Sequence, residues 1–285
     1  MIAAGSCNAS LLVDRNLDAG RGAKTAFIAG DGELTYEQLL HQVNRMGGVL
    51  RELGVRREQR VLLVLDDTTA FPVAFLGAMR IGAVPVPVSV LDTPENYRHF
   101  VDDSYAETIV CDAGSVATLR RALAGRSLRY LSRGGDGDGV IELDGALAAQ
   151  EAELAPVATH PEDMAFWLYS SGSTGRPKGV VHVHGSIEVT CQTFARQVLG
   201  IDERDRIFST TKLYHAYGLG NALSFPLYFG ATSILLDGPP SAERLLSTLR
   251  DQQPTVFGSV PALYGLLSED ADADGAFDSV RLCIS

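Results

Sequence analysis

Between Tyr169 and Val181 the chain reads YSSGSTGRPKGVV. Four small hydroxyl side chains, Ser170, Ser171, Ser173 and Thr174, are interspersed with Gly172, Gly175 and Gly179, and one lysine, Lys178, stands near the end. Glycine lets the backbone turn sharply and approach a ligand, so several N–H groups can point at one anion. The hydroxyls add donors and Lys178 adds a mobile positive charge, so the chemistry on offer is the holding of phosphate. A Walker loop needs Gly-Lys-Ser/Thr at the mouth of a helix so that the hydroxyl reaches a metal, whereas the order here is Pro177-Lys178-Gly179. The Gly-x-Gly-x-x-Gly fingerprint and the Gly-x-Ser-x-Gly elbow are absent from the loop as well. The plain alternative is a Ser/Gly-rich surface loop, against which stand the apolar strand predicted before it and the one lysine.

A second constellation runs from Tyr214 to Asn221, YHAYGLGN. Small residues at Ala216, Gly218 and Gly220 alternate with bulk at His215, Tyr217 and Leu219, a pattern that suits a flat slot between aromatic walls. It equally suits ordinary packing at a helix start, and composition does not separate the two. His182 and His184 lie two apart on one face of a predicted strand, but no third ligand stands at metal-binding spacing, so no metal site is expected.

These residues need elements to position them. Ala23 to Ile28 and Glu33 to Thr35 read as short strands around Gly30-Asp31-Gly32, a hairpin signal. Thr35-Tyr36-Glu37-Gln38 reads as a capping box opening a helix to about Leu53, where Gly54 stops it. Strands are expected at Val61 to Leu65, Val84 to Val88, Thr108 to Cys111 and Leu128 to Leu131. Helices are expected at Thr69 to Arg80, Pro94 to Ser104 and Val116 to Ala124. The second half offers strands at Met164 to Tyr169, Arg206 to Ser209, Ser233 to Leu236, Thr255 to Gly258 and Arg281 to Ile284, with helices near Gly185 to Leu199, Ala242 to Asp251 and Pro261 to Leu267. Continuous apolar strands separated by helices are the mark of βαβ units around mostly parallel sheets, an α/β chain. Arg133 to Gly139, RGGDGDG, lacks the spacing of a calcium loop and reads as a connection. Two subdomains are expected, 1–160 and 161–285.

Bulk properties narrow the partners. The 285 residues are 46% hydrophobic and carry a formal net charge of -11, from 35 acidic against 24 basic side chains with no Lys/Arg block. Nucleic acid and anionic membrane both call for a basic face, so neither is an expected partner. The apolar stretch Phe71 to Leu91 holds Arg80 and three prolines, Pro72, Pro85 and Pro87, which argues for a buried helix followed by a strand rather than a membrane span. Cys7, Cys111, Cys191 and Cys283 form no CxxC pair, which fits a reducing cytoplasm.

The stretch 169–181 resembles the phosphate-loop signature of the acyl-adenylate-forming superfamily, which includes acyl and aryl CoA ligases, luciferases and peptide-synthetase adenylation domains. The likeness extends along the chain. Leu34-Thr35-Tyr36, Phe75-Leu76-Gly77-Ala78, Gly82-Ala83-Val84-Pro85-Val86-Pro87, Pro254-Thr255 and Val260-Pro261-Ala262-Leu263-Tyr264 all look like family landmarks. Lys212 to Asn221 is especially similar to benzoate CoA ligases, many of which have Phe where this chain has His215.

The resemblance implies that Ser171 to Lys178 wraps the β and γ phosphates of ATP, with Ser170 and Gly179 flanking them and Lys178 acting catalytically beside ATP-bound Mg2+. It implies that His215, Ala216, Tyr217 and Gly218 bind the acid, with His215 an aromatic gate rather than a general base. Amino-acid-activating relatives usually place an Asp where Ala216 stands, and an unpaired buried ammonium is costly, so an aryl acid without an α-amine fits better. The acceptor is then CoA, or the phosphopantetheine arm of an acyl carrier protein; a non-catalytic fragment that binds nucleotide or aryl acid is a third reading. Family members continue beyond the equivalent of Ser285 with a magnesium-holding acidic motif, a ribose-binding aspartate and a mobile C-terminal domain carrying a second lysine. The 285-residue chain alone is accordingly expected to be weak or inactive.

Overall fold

The computed structural model describes residues 7–135, 137–170, 175–270 and 273–285. In chain order, the first elements are α1 (Leu11–Asp18), β1 (Thr25–Ala29), β2 (Gly32–Thr35), α2 (Tyr36–Glu52), β3 (Arg60–Val64), α3 (Ala70–Arg80), β4 (Val84–Pro87), α4 (Pro94–Ser104) and β5 (Thr108–Asp112). Next come α5 (Ala113–Ala122), β6 (Arg129–Arg133), β7 (Val140–Glu142), α6 (Leu143–Ala148), β8 (Met164–Ser170), β9 (Lys178–Val183) and α7 (His184–Thr190), which runs on into a π-helical turn, Cys191–Ala195. Then follow β10 (Arg206–Ser209), α8 (Ala216–Leu219), a second π-helical turn (Gly220–Ser224), α9 (Phe225–Phe229), β11 (Thr232–Ile234), α10 (Ala242–Gln252), β12 (Val256–Gly258), α11 (Pro261–Ser268) and β13 (Leu282–Ile284).

Two compact units form. One comprises Met1–Arg15, Glu37–Asp66 and Ala70–Ile187; the other comprises Asn16–Tyr36, Asp67–Thr69 and Glu188–Ser285. This division differs from a linear boundary at 160. The β8–β9 hairpin belongs with the first unit, and the β1–β2 hairpin belongs with the second because β1 pairs in parallel with β11, Phe27 opposite Ser233 and Ile28 opposite Ile234. Hydrophobic periodicity reports local elements and is silent on such distant pairing.

The first unit is built on a five-stranded sheet, order β4-β3-β5-β6-β7, in which every pair is parallel. On one face Leu62, Val64, Ile109 and Cys111 pack with Tyr97, Phe100 and Val101 of α4 and Leu119 of α5. On the other face Val61, Leu63, Val110 and Leu131 are buried too, as expected of a parallel sheet covered on both sides. Helix α4 starts where its sequence says it should: Thr93 caps it by accepting from the Asn96 N–H at 3.2 Å, and Pro94 occupies its first position. Helix α3 is buried from Phe71 to Arg80, and the Arg80 guanidinium is matched by Asp14 at 2.8 and 3.0 Å and by the Leu154 carbonyl at 2.8 Å. Helices α2 and α3 approach through glycines. A Cβ on Gly77 would lie 2.6 Å from Met46 Cβ, and one on Gly47 would lie 3.4 Å from the Gly77 carbonyl oxygen.

The second unit holds a six-stranded sheet, order β13-β12-β10-β11-β1-β2, parallel except for the β1–β2 hairpin. Phe208, Ile234 and Phe257 of its strands pack with Leu245, Leu246 and Leu249 of α10. The buried carboxylate of Asp205 takes Arg281 at 2.7 and 2.9 Å and Thr255 Oγ1 at 2.6 Å, tying the starts of β10, β12 and β13 together.

Most expected elements are present within a few residues. Four features were not expected: α1, the short pair β7 and α6, the extension to Phe229 of the helix start weighed at 214–221, and the π-helical turn that interrupts the helix expected over 185–199. Among the described residues no helix is long and apolar enough to cross a membrane.

Gly77→Val inserts atoms where Met46 and the Val43 carbonyl already stand. Overpacking of this kind is expected to destabilise the chain by ~1–3 kcal/mol, read as a lower urea midpoint with unchanged slope.

Candidate functional site

The glycine-and-hydroxyl sequence is the connection of an antiparallel hairpin. Strands β8 and β9 pair from Phe166 opposite His182 to Ser170 opposite Lys178, so Ser170 and Lys178 form the last rung before the loop. Both are exposed there. Ser171, Gly172, Ser173 and Thr174 lie outside the described residues. Gly175 has φ +96°, a conformation that side chains other than glycine rarely adopt. Gly179 is opposite Tyr169, and a Cβ on it would come 3.1 Å from the Trp167 ring.

Helix α4 holds both stems of the loop. The Tyr169 hydroxyl donates to Asp103 Oδ2 at 2.8 Å while its ring lies 4.4 Å from that of Phe100. On the other stem, His99 Nε2 donates to the Pro177 carbonyl at 2.7 Å. Burial, and then the adjacent Asp103 carboxylate, hold the Tyr169 phenol well above its ordinary range. An open cavity of about 340 Å³ beside this contact is lined by Glu95, Asn96, Arg98, His99, Asp102 and Arg176. His99 and Asp103 carried no signal in the sequence beyond their place on a predicted helix.

The two histidines of β9 and α7 are engaged separately. His182 stacks on Phe166, ring centroids 4.6 Å apart and planes 2° from parallel. His184 is buried, and its Nδ1 accepts from the Ala9 N–H at 3.0 Å, which leaves the proton on Nε2. Burial pushes the His184 imidazole down to about 4, offset in part by Asp163 and reinforced by Arg57. Cys111 and Cys191 are buried thiols pushed up to about 12, so neither offers a thiolate near neutral pH.

In the second unit, residues 214–221 follow β10. Tyr214 and His215 meet edge to face at 4.7 Å, and Ala216 opens α8. Asp67 anchors the approach by accepting from the Leu213 N–H at 3.0 Å. Lys212 Nζ donates to the Leu236 carbonyl at 2.6 Å. Gly218 is glycine for packing: a Cβ there would fall 2.2 Å from the carbonyl oxygens of both Thr211 and Lys212. Gly220 likewise faces the Phe225 ring, 3.1 Å from its missing Cβ. These glycines let the helix lie against the backbone that precedes it. His215 and Ala216 are exposed, and Tyr217 is half-buried.

Tyr217 reaches the carboxyl ends of the parallel strands. Ser209, Gly258 and Ile284 form the last rung across β10, β12 and β13. A Cβ built on Gly258 would stand 3.5 Å from the Tyr217 hydroxyl, 3.6 Å from Ser209 Oγ and 3.5 Å from Ile284 Cγ1. Open α/β sheets bind ligands at this end of their strands. That rule is the signal by which Ser209 and Gly258, at the ends of two predicted strands, could have been singled out.

Comparison with known proteins agrees with this architecture. The sequence profile of AMP-binding enzymes matches residues 14–285. The 4-hydroxybenzoate–CoA/benzoate–CoA ligase of Rhodopseudomonas palustris is 41% identical over 277 residues, 96% of this chain and 51% of that protein. Among solved structures, a benzoate CoA ligase from Burkholderia xenovorans LB400 superimposes with TM-score 0.90 at 36% identity, covering 98% of this chain and 55% of that one. The anthranilate CoA ligase AuaEII, solved with anthranoyl-AMP, superimposes with TM-score 0.93 at 31% identity, covering 98% and 55%. An α/β chain of mostly parallel sheets that carries this hairpin loop is a member of the AMP-binding enzyme family. It is similar over nearly its whole length to benzoate and other aryl-acid CoA ligases, and it spans about half the length of these relatives.

The buried neutral His184 sets a pH dependence. Below its ordinary 6.5 the unfolded chain takes up a proton that the folded chain refuses until about 4, so stability is full above 6.5 and is lost as pH falls through that window. The loss is expected to reach up to ~3 kcal/mol in urea midpoints measured across this range. His184→Asn, which retains an acceptor toward Ala9 but does not titrate, is expected to flatten the dependence.

Proposed function

We propose that the protein of which this chain is a part adenylates a benzoate-like aryl acid with MgATP and passes the acyl group to coenzyme A. The observation that carries the reading is the hairpin loop 171–177, rich in glycine and hydroxyl side chains and closed by Ser170 opposite Lys178. Its N–H groups and hydroxyls, with Ser170, Gly175 and Gly179 shaping the stems, would grip the β and γ phosphates. The Lys178 ammonium would approach them from the first residue of β9. A carboxylate oxygen of the acid attacks the α phosphorus, the bond to the β-phosphate bridging oxygen breaks, and pyrophosphate leaves. Negative charge grows on that leaving group, and preorganised donors with Lys178 stabilise it more in the transition state than in the ground state. The thiol of coenzyme A then attacks the acyl carbon and AMP departs.

The acid is assigned to the segment His215, Ala216, Tyr217 and Gly218. Ala216 places no carboxylate where an α-ammonium would need one, and His215 with Tyr217 supplies aromatic walls for a flat ring. The names of the relatives, benzoate, hydroxybenzoate and anthranilate CoA ligases, support both an aryl acid and coenzyme A as acceptor.

The test is carboxylate-dependent pyrophosphate exchange by the full-length enzyme over benzoates, cinnamates and short fatty acids. Aryl acids are expected to give the highest kcat/KM, and Lys178→Ala is expected to lower the exchange rate ~10²–10³-fold. An unchanged rate in Lys178→Ala would remove the phosphate role. A strong preference for an aliphatic acid would remove the aryl assignment and leave adenylation in place.

A further inference from the structure

Helix α4 presents two polar side chains to the mouth of the hairpin loop. His99 and Asp103 are four residues apart, about one helical turn, and so stand on one face of the helix. His99 Nε2 donates to the Pro177 carbonyl at 2.7 Å, and Asp103 Oδ2 accepts from the Tyr169 hydroxyl at 2.8 Å. Tyr169 pairs with Gly179 and Ser170 with Lys178, so the two bonds fall on opposite stems at the open end of the ladder. A Cβ on Gly179 would stand 3.5 Å from Asp103 Oδ2, which places the carboxylate against the Tyr169–Gly179 rung.

Closing the hairpin does not require these bonds. The ladder already runs from Met164 opposite Val183 to Ser170 opposite Lys178, and Phe100 of α4 packs its ring 4.4 Å from that of Tyr169. What the polar pair adds is position. Proline has a fixed φ and no N–H, so its carbonyl is the one backbone group by which Pro177 can be held through a hydrogen bond. His99 holds it there, and the peptide so oriented is the one that leads into Lys178 at the start of β9. Burial and the adjacent Asp103 carboxylate keep the Tyr169 phenol above its ordinary range, so it remains a donor. Beside a loop that is to grip polyphosphate, a carboxylate opposes binding through its charge. What Asp103 contributes is therefore the hydrogen bond to Tyr169.

We propose that His99 and Asp103 are positioning residues for ATP: one turn of α4 clamps both stems of loop 171–177 and so sets where the loop's donors and Lys178 meet the β and γ phosphates. The inference rests on the phosphate-loop reading above and adds α4 to it, with both side chains acting through the loop. Donors held in place before the ligand arrives are worth more than donors that must be ordered by it. The clamp has a defined chemistry. A carbonyl only accepts, so His99 must carry its proton on Nε2, and an amide N–H can replace that donor. Asparagine at position 103 still accepts from Tyr169 and carries no charge.

The experiment measures KM for MgATP and KM for the acid in pyrophosphate exchange by the full-length enzyme. His99→Ala, Asp103→Ala and Tyr169→Phe are each expected to raise KM for MgATP ~3–10-fold, the span of one neutral hydrogen bond, and to leave KM for the acid within about twofold of wild type. His99→Gln and Asp103→Asn are expected to recover most of that loss. Tyr169→Phe combined with Asp103→Ala is expected to cost little more than either alone, because both delete the same bond. KM does not depend on the fraction of enzyme that is folded, and Tyr169→Phe removes a single oxygen, so a poorly folding alanine variant does not mask the result. An unchanged KM for MgATP in His99→Ala and Tyr169→Phe would overturn the clamp. So would losses that fall equally on MgATP and the acid, or that His99→Gln and Asp103→Asn fail to recover. Lys178→Ala separates the two claims: slowed exchange in Lys178→Ala beside unaffected clamp variants removes the clamp and leaves the phosphate loop standing, whereas unaffected exchange in all of them removes both.

Discussion

The constraint on which the functional account depends is the pairing of Ser170 with Lys178. Paired residues of an antiparallel ladder have Cα atoms only ~4.5–5.5 Å apart. The residues between must therefore reverse within a short span, and that reversal is the physical demand that glycines meet. Under the proposed function, N–H groups of such a reversal would supply the anion site. Helix α4 makes the arrangement durable. His99 and Asp103 hold Pro177 and Tyr169, one on each stem, so the mouth of the loop is fixed by side chains from an element capped and started by Thr93 and Pro94.

The second unit solves a different problem, bringing distant segments together at the carboxyl ends of its strands. Parallel pairing brings Ser209, Gly258 and Ile284 into one rung although each ends a separate βα stretch. The segment after β10 then folds back over that rung. It can do so because Gly218 lets α8 press against the carbonyls of Thr211 and Lys212, and because Asp67 secures the Leu213 N–H. Tyr217 is carried to the strand ends as a result. Aromatic bulk and missing side chains act together here: the glycines set the backbone path, and the path sets where the aromatic groups stand.

Much of this was legible in the sequence. Helix α4 was readable to the residue because its cap and proline are local signals, and β10 because a short apolar run ends at hydroxyl residues. The loop's glycine, hydroxyl and lysine content pointed to phosphate from residue type alone, and phosphate binding is the role proposed for it. What stayed hidden was non-local. Nothing in Thr25–Ala29 says that it will pair with a strand beside Phe225–Phe229, so the interleaving of the two compact units along the chain is not visible in local patterns. The helix start weighed at 214–221 proves to open a helical run to 229, whose length was not legible because Gly218, Gly220 and Pro226 argue against a helix by propensity and tertiary packing overrides them. Composition left Gly218 equally consistent with an open slot and with close packing, and the 2.2 Å approach of two carbonyl oxygens to its missing Cβ adds a packing reason for the glycine that only the structure shows. Ser209 and Gly258 carry a signal only through their place at the ends of predicted strands, and the register that sets them side by side is visible only in the structure.

The most direct test of the central claim is an amide-resolved NMR titration of this chain with MgATP and, separately, with inorganic tripolyphosphate. The account predicts that the backbone N–H resonances from Ser171 to Gly179 shift with either ligand, and that these shifts vanish when Ser173, Thr174 and Lys178 are replaced together by alanine. Binding of both ligands with the 171–179 amides unmoved, and with shifts confined to other segments, would contradict it.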